Sequence, residues 1–138
     1  MSHPSVQLSP AAMPTRRHRR SIMTIESAMA AFGLGGGIML MSGHGTPPLE
    51  ALGPLGLSSW ILPGVWLAAS VAVPSGAAAY LAWRRAPWAP RAVLVASALL
   101  AVELLVQIPF LGVNGLQAAM ALVGVTAAGL AWHARATW

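Results

Sequence analysis

The sequence predicts an all-α protein: a polytopic transmembrane four-helix bundle with both termini on the cytoplasmic side. Three observations carry this. Apolar residues make up 57% of the chain and charged residues 8%, against roughly a quarter charged in soluble domains, so a water-soluble surface cannot be built. Four apolar stretches are each long enough to cross a hydrocarbon layer of about 30 Å at about 1.5 Å per helical residue. All eight basic side chains are arginines, and they fall in an N-terminal arm, one middle turn and the C-terminal tail. The positive-inside rule places those three segments in the cytoplasm.

Residues 1–21 are polar, contain Pro4, Pro10 and Pro14, and end in Arg16-Arg17-His18-Arg19-Arg20. That composition reads as a disordered basic cytoplasmic arm. Its Arg16, Arg17, Arg19 and Arg20 are candidates for binding anionic lipid headgroups. Arginines ahead of a glycine-rich apolar stretch also outline a twin-arginine export signal, but no convincing small-x-small cleavage site follows, and three later spans would still hold the chain in lipid. The first span covers 22–42 with one charge, Glu26. Residues 43–59 hold His44, Pro47, Pro48, Glu50, Gly53, Pro54 and Gly56, a composition that breaks helices and suits an outer loop.

The second span, 61–83, carries no charge, with Pro63 in its first turn and Pro74 well inside. Arg84, Arg85 and Arg91, interleaved with Pro87, Trp88 and Pro90, form a basic turn, and the third span runs 91–109. The three residues Leu111–Val113 are too few to cross anything, so the fourth span, 114–134, returns beside the third. It opens on Asn114 with Gln117 three residues on, the pattern of a capping box. Residues 135–138 form a cytoplasmic tail. Five of the six tryptophans lie near span ends, as interfacial aromatics should; Trp66 lies deeper. The expected location is the inner (plasma) membrane, as a multi-pass protein.

The chain has no cysteine, which excludes disulfides and thiol chemistry. Its basic charge is accounted for by topogenic arginines, so no nucleic-acid partner is expected. His44 and Glu50 face one side of the membrane and His133 the other, too far apart to share a metal or a catalytic constellation. No metal, cofactor or enzymatic activity is expected.

Helix association in lipid depends on close packing of small residues and a few interhelical hydrogen bonds. Gly33 and Gly37 on the first span, and Gly124 and Ala128 on the fourth, are the candidate packing positions. They serve contacts inside the bundle or, alternatively, an interface with a protein partner or a second copy.

Glu103 is the candidate site. It lies about a dozen residues into the third span, near mid-membrane, with Gln107 one turn further along the same face. An ionised side chain at that depth costs at least a few kcal/mol, so Glu103 is expected to face the bundle interior in its neutral form. Pro74 has no N–H for the Ser70 carbonyl, which leaves that oxygen free to accept from Glu103. The expected cluster is Glu103, Gln107 and the Ser70 carbonyl, against the glycine face of the first helix. Glu26, nearer the inner face, is expected to meet Arg84, Arg85 or Arg91.

Gly36-Gly37-Ile38-Met39-Leu40-Met41, the Gly/Pro-rich outer loop, Leu62-Pro63-Gly64, Arg84-Arg85 with Trp88-Ala89, and Gln107 followed by Gly115-Leu116-Gln117 resemble a group of small bacterial four-helix membrane proteins over roughly Ile25 to Trp132. The resemblance implies the fold and no activity. Small multidrug transporters are similar in having four short helices and one membrane glutamate. Theirs lies on the first helix among aromatics, whereas Glu103 lies on the third among aliphatics, so the likeness transfers no residue roles.

The leading functional expectation is a non-catalytic scaffold or accessory subunit that binds a membrane partner. The alternative is a proton-coupled carrier of small molecules, working as a dimer through Glu103.

Overall fold

The computed structural model describes residues 13–136 and 138. Helix α1 spans Met13–Ser42, α2 Ile61–Trp83, α3 Ala89–Leu111 and α4 Gly115–Ala134. All four are long and apolar enough to cross a membrane. Consecutive helices run antiparallel and pack in turn, and α4 closes back onto α1.

Helix α1 departs from expectation at its start. Residues 13–21, read from sequence as part of a disordered arm, continue the helix. Pro14 falls in the first turn, where a missing N–H is harmless, and arginine is a good helix former. The helix is about 45 Å long at about 1.5 Å per residue, so its basic first turns extend past the point where packing begins at the fully buried Ile22. Residues 1–12 of that arm lie outside the described residues.

Antiparallel packing brings the start of α1, the turn between α2 and α3, and the end of α4 to one end of the bundle. Ile22, Ala78, Ala82, Val93, Ala127 and Ala131 form the core there. The Trp138 indole donates to the Ala86 carbonyl at 2.7 Å, which ties the tail to that turn. The described arginines thus share one end, where Arg91 lies over the Trp88 ring and Arg135 over Trp132. Helix α2 ends there with paired bonds from Ala86 N–H to the Leu81 carbonyl and from Arg85 N–H to the Ala82 carbonyl. This termination puts its second residue beyond the helix in the left-handed region, and Arg85 occupies it at φ 56°.

At the opposite end a short 3₁₀ helix, Leu49–Leu55, buries Leu52. The Trp60 indole donates to the Pro47 carbonyl at 2.9 Å, so this tryptophan is buried under the loop. Across the α3–α4 turn the Asn114 carboxamide oxygen accepts from Gln117 N–H at 3.0 Å, and the Gln117 side-chain oxygen accepts from Asn114 N–H at 3.2 Å.

Between the ends, α1 and α2 meet through backbone. A Cβ on Gly37 would lie 2.7 Å from the Gly64 carbonyl oxygen, and one on Gly64 would lie 2.6 Å from that of Gly37. Gly33 faces Val71 and Ala72 in the same way. Many large apolar side chains point outward instead: Phe32, Leu105, Val113, Leu122 and Val125 are all exposed. That inversion of the usual burial pattern suits a chain whose solvent is lipid.

Candidate functional site

Pro74 sets the local geometry. Because it has no N–H for the fourth carbonyl back, the ladder of α2 shifts register across Ala68–Ala72 into one π-helical turn, with Val73 N–H reaching Ala68 five residues behind. Such turns take up an extra residue and re-aim side chains. Upstream of Pro74, Trp66 and Ser70 stand one turn apart on the face of α2 toward α3. Glu103 and Gln107 stand one turn apart on the answering face of α3.

These four side chains form one hydrogen-bonded cluster. Glu103 Oε2 accepts from Trp66 Nε1 at 2.6 Å and lies 3.1 Å from Ser70 Oγ. Glu103 Oε1 accepts from Gln107 Nε2 at 3.0 Å. Ser70 Oγ also lies 2.8 Å from the Trp66 carbonyl. A hydroxyl has one proton and an indole can only donate, which leaves Ser70 as the adjustable member. Toward an ionised carboxylate it donates to Oε2. From a protonated one it accepts, and turns its own proton to the Trp66 carbonyl. Either way the indole, the hydroxyl and the carboxyl each keep a partner.

Glu103 is 5% exposed while Trp66 is 55% exposed. The indole therefore lies on the outer surface of the bundle with its N–H turned inward over the carboxyl, covering that side of the cluster. Sequence reasoning put Glu103, Gln107 and Ser70 together, but through the Ser70 carbonyl, and the contact runs through the hydroxyl instead. The Ser70 hydroxyl, 2.8 Å from the Trp66 carbonyl, is the group that reaches Glu103 across the helix pair. Trp66 was missed, although its depth and its spacing of four from Ser70 were visible. The glycine face of α1 packs on Val71, Ala72, Gly64 and Ala68 of α2 and not on the Glu103 cluster.

Glu26 is a second buried acid, 2% exposed. Its partner is the Ser75 hydroxyl of α2; the expected arginine contact is replaced by one nearer to hand, with Arg84 instead against Tyr80. Met29, Val71 and Leu100 form an apolar layer, and along α1, α2 and α3 those residues fall between the Glu26–Ser75 and Glu103–Ser70 levels. The structure thus stacks polar, apolar and polar layers, with α2 supplying a hydroxyl to each acid.

The remaining sequence candidates are dispersed. Gly124 packs on α3, where an added Cβ would lie 2.9 Å from Leu100 Cδ2; Ala128 lines an outer groove between α3 and α4. Arg17 and Arg20 are exposed on the first turns of α1, and the side chain of Arg16 lies outside the described residues. His44 contacts the Ser42 hydroxyl, and His133 the Gly129 carbonyl. Among the described residues no group of three or more His, Cys, Asp or Glu side chains is placed to hold a metal.

Fold and site together define an all-helical protein with four helices fit to span a membrane and a carboxyl clasp between the second and third. Comparison with protein-family models, curated proteins and solved structures returned no match.

Proposed function

We propose that this chain is a non-catalytic integral membrane protein, a small scaffold or accessory subunit that presents lipid-facing helix surface to a membrane partner. The observation that carries the reading is the saturation of Glu103. Its two oxygens have partners on α2 and on its own helix, so the acid is committed to holding α2 against α3. Glu26 is held against α2 in the same manner. With the arginines at one end, the positive-inside rule favours both termini in the cytoplasm and a plasma-membrane location, and the exposed arginines of α1 favour contact with anionic headgroups.

In nanodiscs, a stoichiometric protein partner should co-purify with the wild type and with Glu103→Gln alike. Proton flux into proteoliposomes that disappears in Glu103→Gln, with the fold intact, contradicts the scaffold reading.

That opposite outcome belongs to a second reading, a proton-coupled carrier working as a dimer through Glu103. Two features favour it: the exposed Trp66 that covers Glu103 from the outer surface, and the second buried acid beyond the layer of Met29, Val71 and Leu100.

A further inference from the structure

The eight arginines fall at one end of the bundle: four at the start of α1, three around the α2–α3 turn, and Arg135 after α4. The chain's three acidic side chains are engaged or placed elsewhere. Glu26 is held inside the bundle against Ser75, Glu103 against Trp66 and Ser70, and Glu50 lies in the 3₁₀ helix at the opposite end. The cationic end thus has no side-chain carboxylate to balance it.

Two of these arginines are stacked on tryptophan. Arg91 lies over the Trp88 ring, 4.7 Å from its centroid, and Arg135 over the Trp132 ring at 3.2 Å. Each follows its tryptophan by three residues, one turn along the same helical face. The ring stabilises the cation through its π face and offers no oxygen. Among the described residues neither guanidinium has a hydrogen-bond acceptor, whereas Arg84 Nη1 donates to the Tyr80 hydroxyl at 3.5 Å. Stacking therefore positions Arg91 and Arg135 while leaving their N–H donors available.

The tryptophans set the depth. Trp88 caps the start of α3 and Trp132 lies in the last turn of the neighbouring α4, and they are 60% and 54% exposed. An exposed indole at the end of a membrane span rests at headgroup level, so a guanidinium stacked on it stands beside the lipid phosphates. A phosphate there supplies the charge this end lacks and the paired oxygens that a guanidinium edge fits. A zwitterionic headgroup would bring a further cation to an end that already carries eight.

We infer that Arg91 with Trp88, and Arg135 with Trp132, are two headgroup sites, each taking the phosphate of one anionic phospholipid. They are separate from the arginines of α1, and the inference is independent of whether the protein is a scaffold or a carrier.

The test is native mass spectrometry of the full chain released from nanodiscs of equal parts phosphatidylglycerol and phosphatidylcholine. The wild type should retain phosphatidylglycerol preferentially. Arg91→Gln and Arg135→Gln should each lower that preference about fivefold, the equivalent of the roughly 1 kcal/mol that one arginine near the surface contributes. Trp88→Leu and Trp132→Leu keep every charge and remove the ring. Each should lower the preference about two- to tenfold, because the lipid must then order a long side chain at a cost of about 0.5–1.5 kcal/mol. Equal retention of the two lipids by the wild type overturns the inference even if a variant fails to fold. So does an unchanged preference in the tryptophan variants, which would reduce this end to net charge alone.

Discussion

The Trp66 indole nitrogen lies 2.6 Å from Glu103 Oε2, a bond between a side chain on the outer surface of the bundle and the single acid of α3. It joins two helices and at the same time covers the carboxyl. Replacing Glu103 by Gln can keep an oxygen at the Oε2 position to accept from the indole and from Ser70, with the new amide nitrogen donating to the Gln107 side-chain oxygen once that amide turns over, so stability should fall by less than about 1 kcal/mol. Glu103→Leu removes every acceptor from Trp66 and Gln107 and should cost about 2 kcal/mol or more. Unfolding by sodium dodecyl sulfate titration separates the two; equal losses contradict a hydrogen-bonding role.

The glycines of α1 should divide into two classes. Gly37→Ala drives a methyl to 2.7 Å from the Gly64 carbonyl oxygen, a backbone atom that cannot turn aside, and should destabilise the bundle by about 1–3 kcal/mol. Gly35→Ala meets nothing within 4 Å and should be neutral, or gain slightly from helix propensity. The same titration reads both.

Arg85 occupies a left-handed position at φ 56°, where a side chain costs about 1–2 kcal/mol relative to glycine. Arg85→Gly should therefore raise stability by about 1 kcal/mol, and thermal unfolding in detergent should show a higher midpoint. A lower midpoint would mean that the arginine side chain contributes more than its backbone costs.

Asn114→Ala removes the acceptor for Gln117 N–H and should cost about 0.5–2 kcal/mol. The loss should be local, with hydrogen exchange accelerated in the first turn of α4 and unchanged in α2.

Much of this architecture was legible because membrane spans announce themselves. Length, apolarity and the arginines mark four helices, and Asn114 with Gln117 marks the start of α4. The site was legible in part: an acid at mid-span must find partners, and Gln107, one turn away, and Ser70, beside Pro74, were within reach. What the sequence hid depends on geometry that no periodicity encodes. The π turn at Ala68–Ala72 interrupts the helical period beside Pro74, and Trp66 reads as an ordinary deep aromatic until α3 is set against it. Gly64 carries no signal as the counterpart of Gly37, because close backbone approach is a property of two helices. The helical start of α1 was missed because prolines and arginines read as disorder when the span they continue is ignored.

The claim on which the rest depends is that Glu103 clasps α2 to α3 through Trp66. A double-mutant cycle with Trp66→Phe and Glu103→Leu, read as unfolding free energy in bilayers or bicelles, tests it most directly. A coupling energy of about 1 kcal/mol is expected, within the range of hydrogen bonds between membrane helices. Strict additivity of the two substitutions would contradict the clasp.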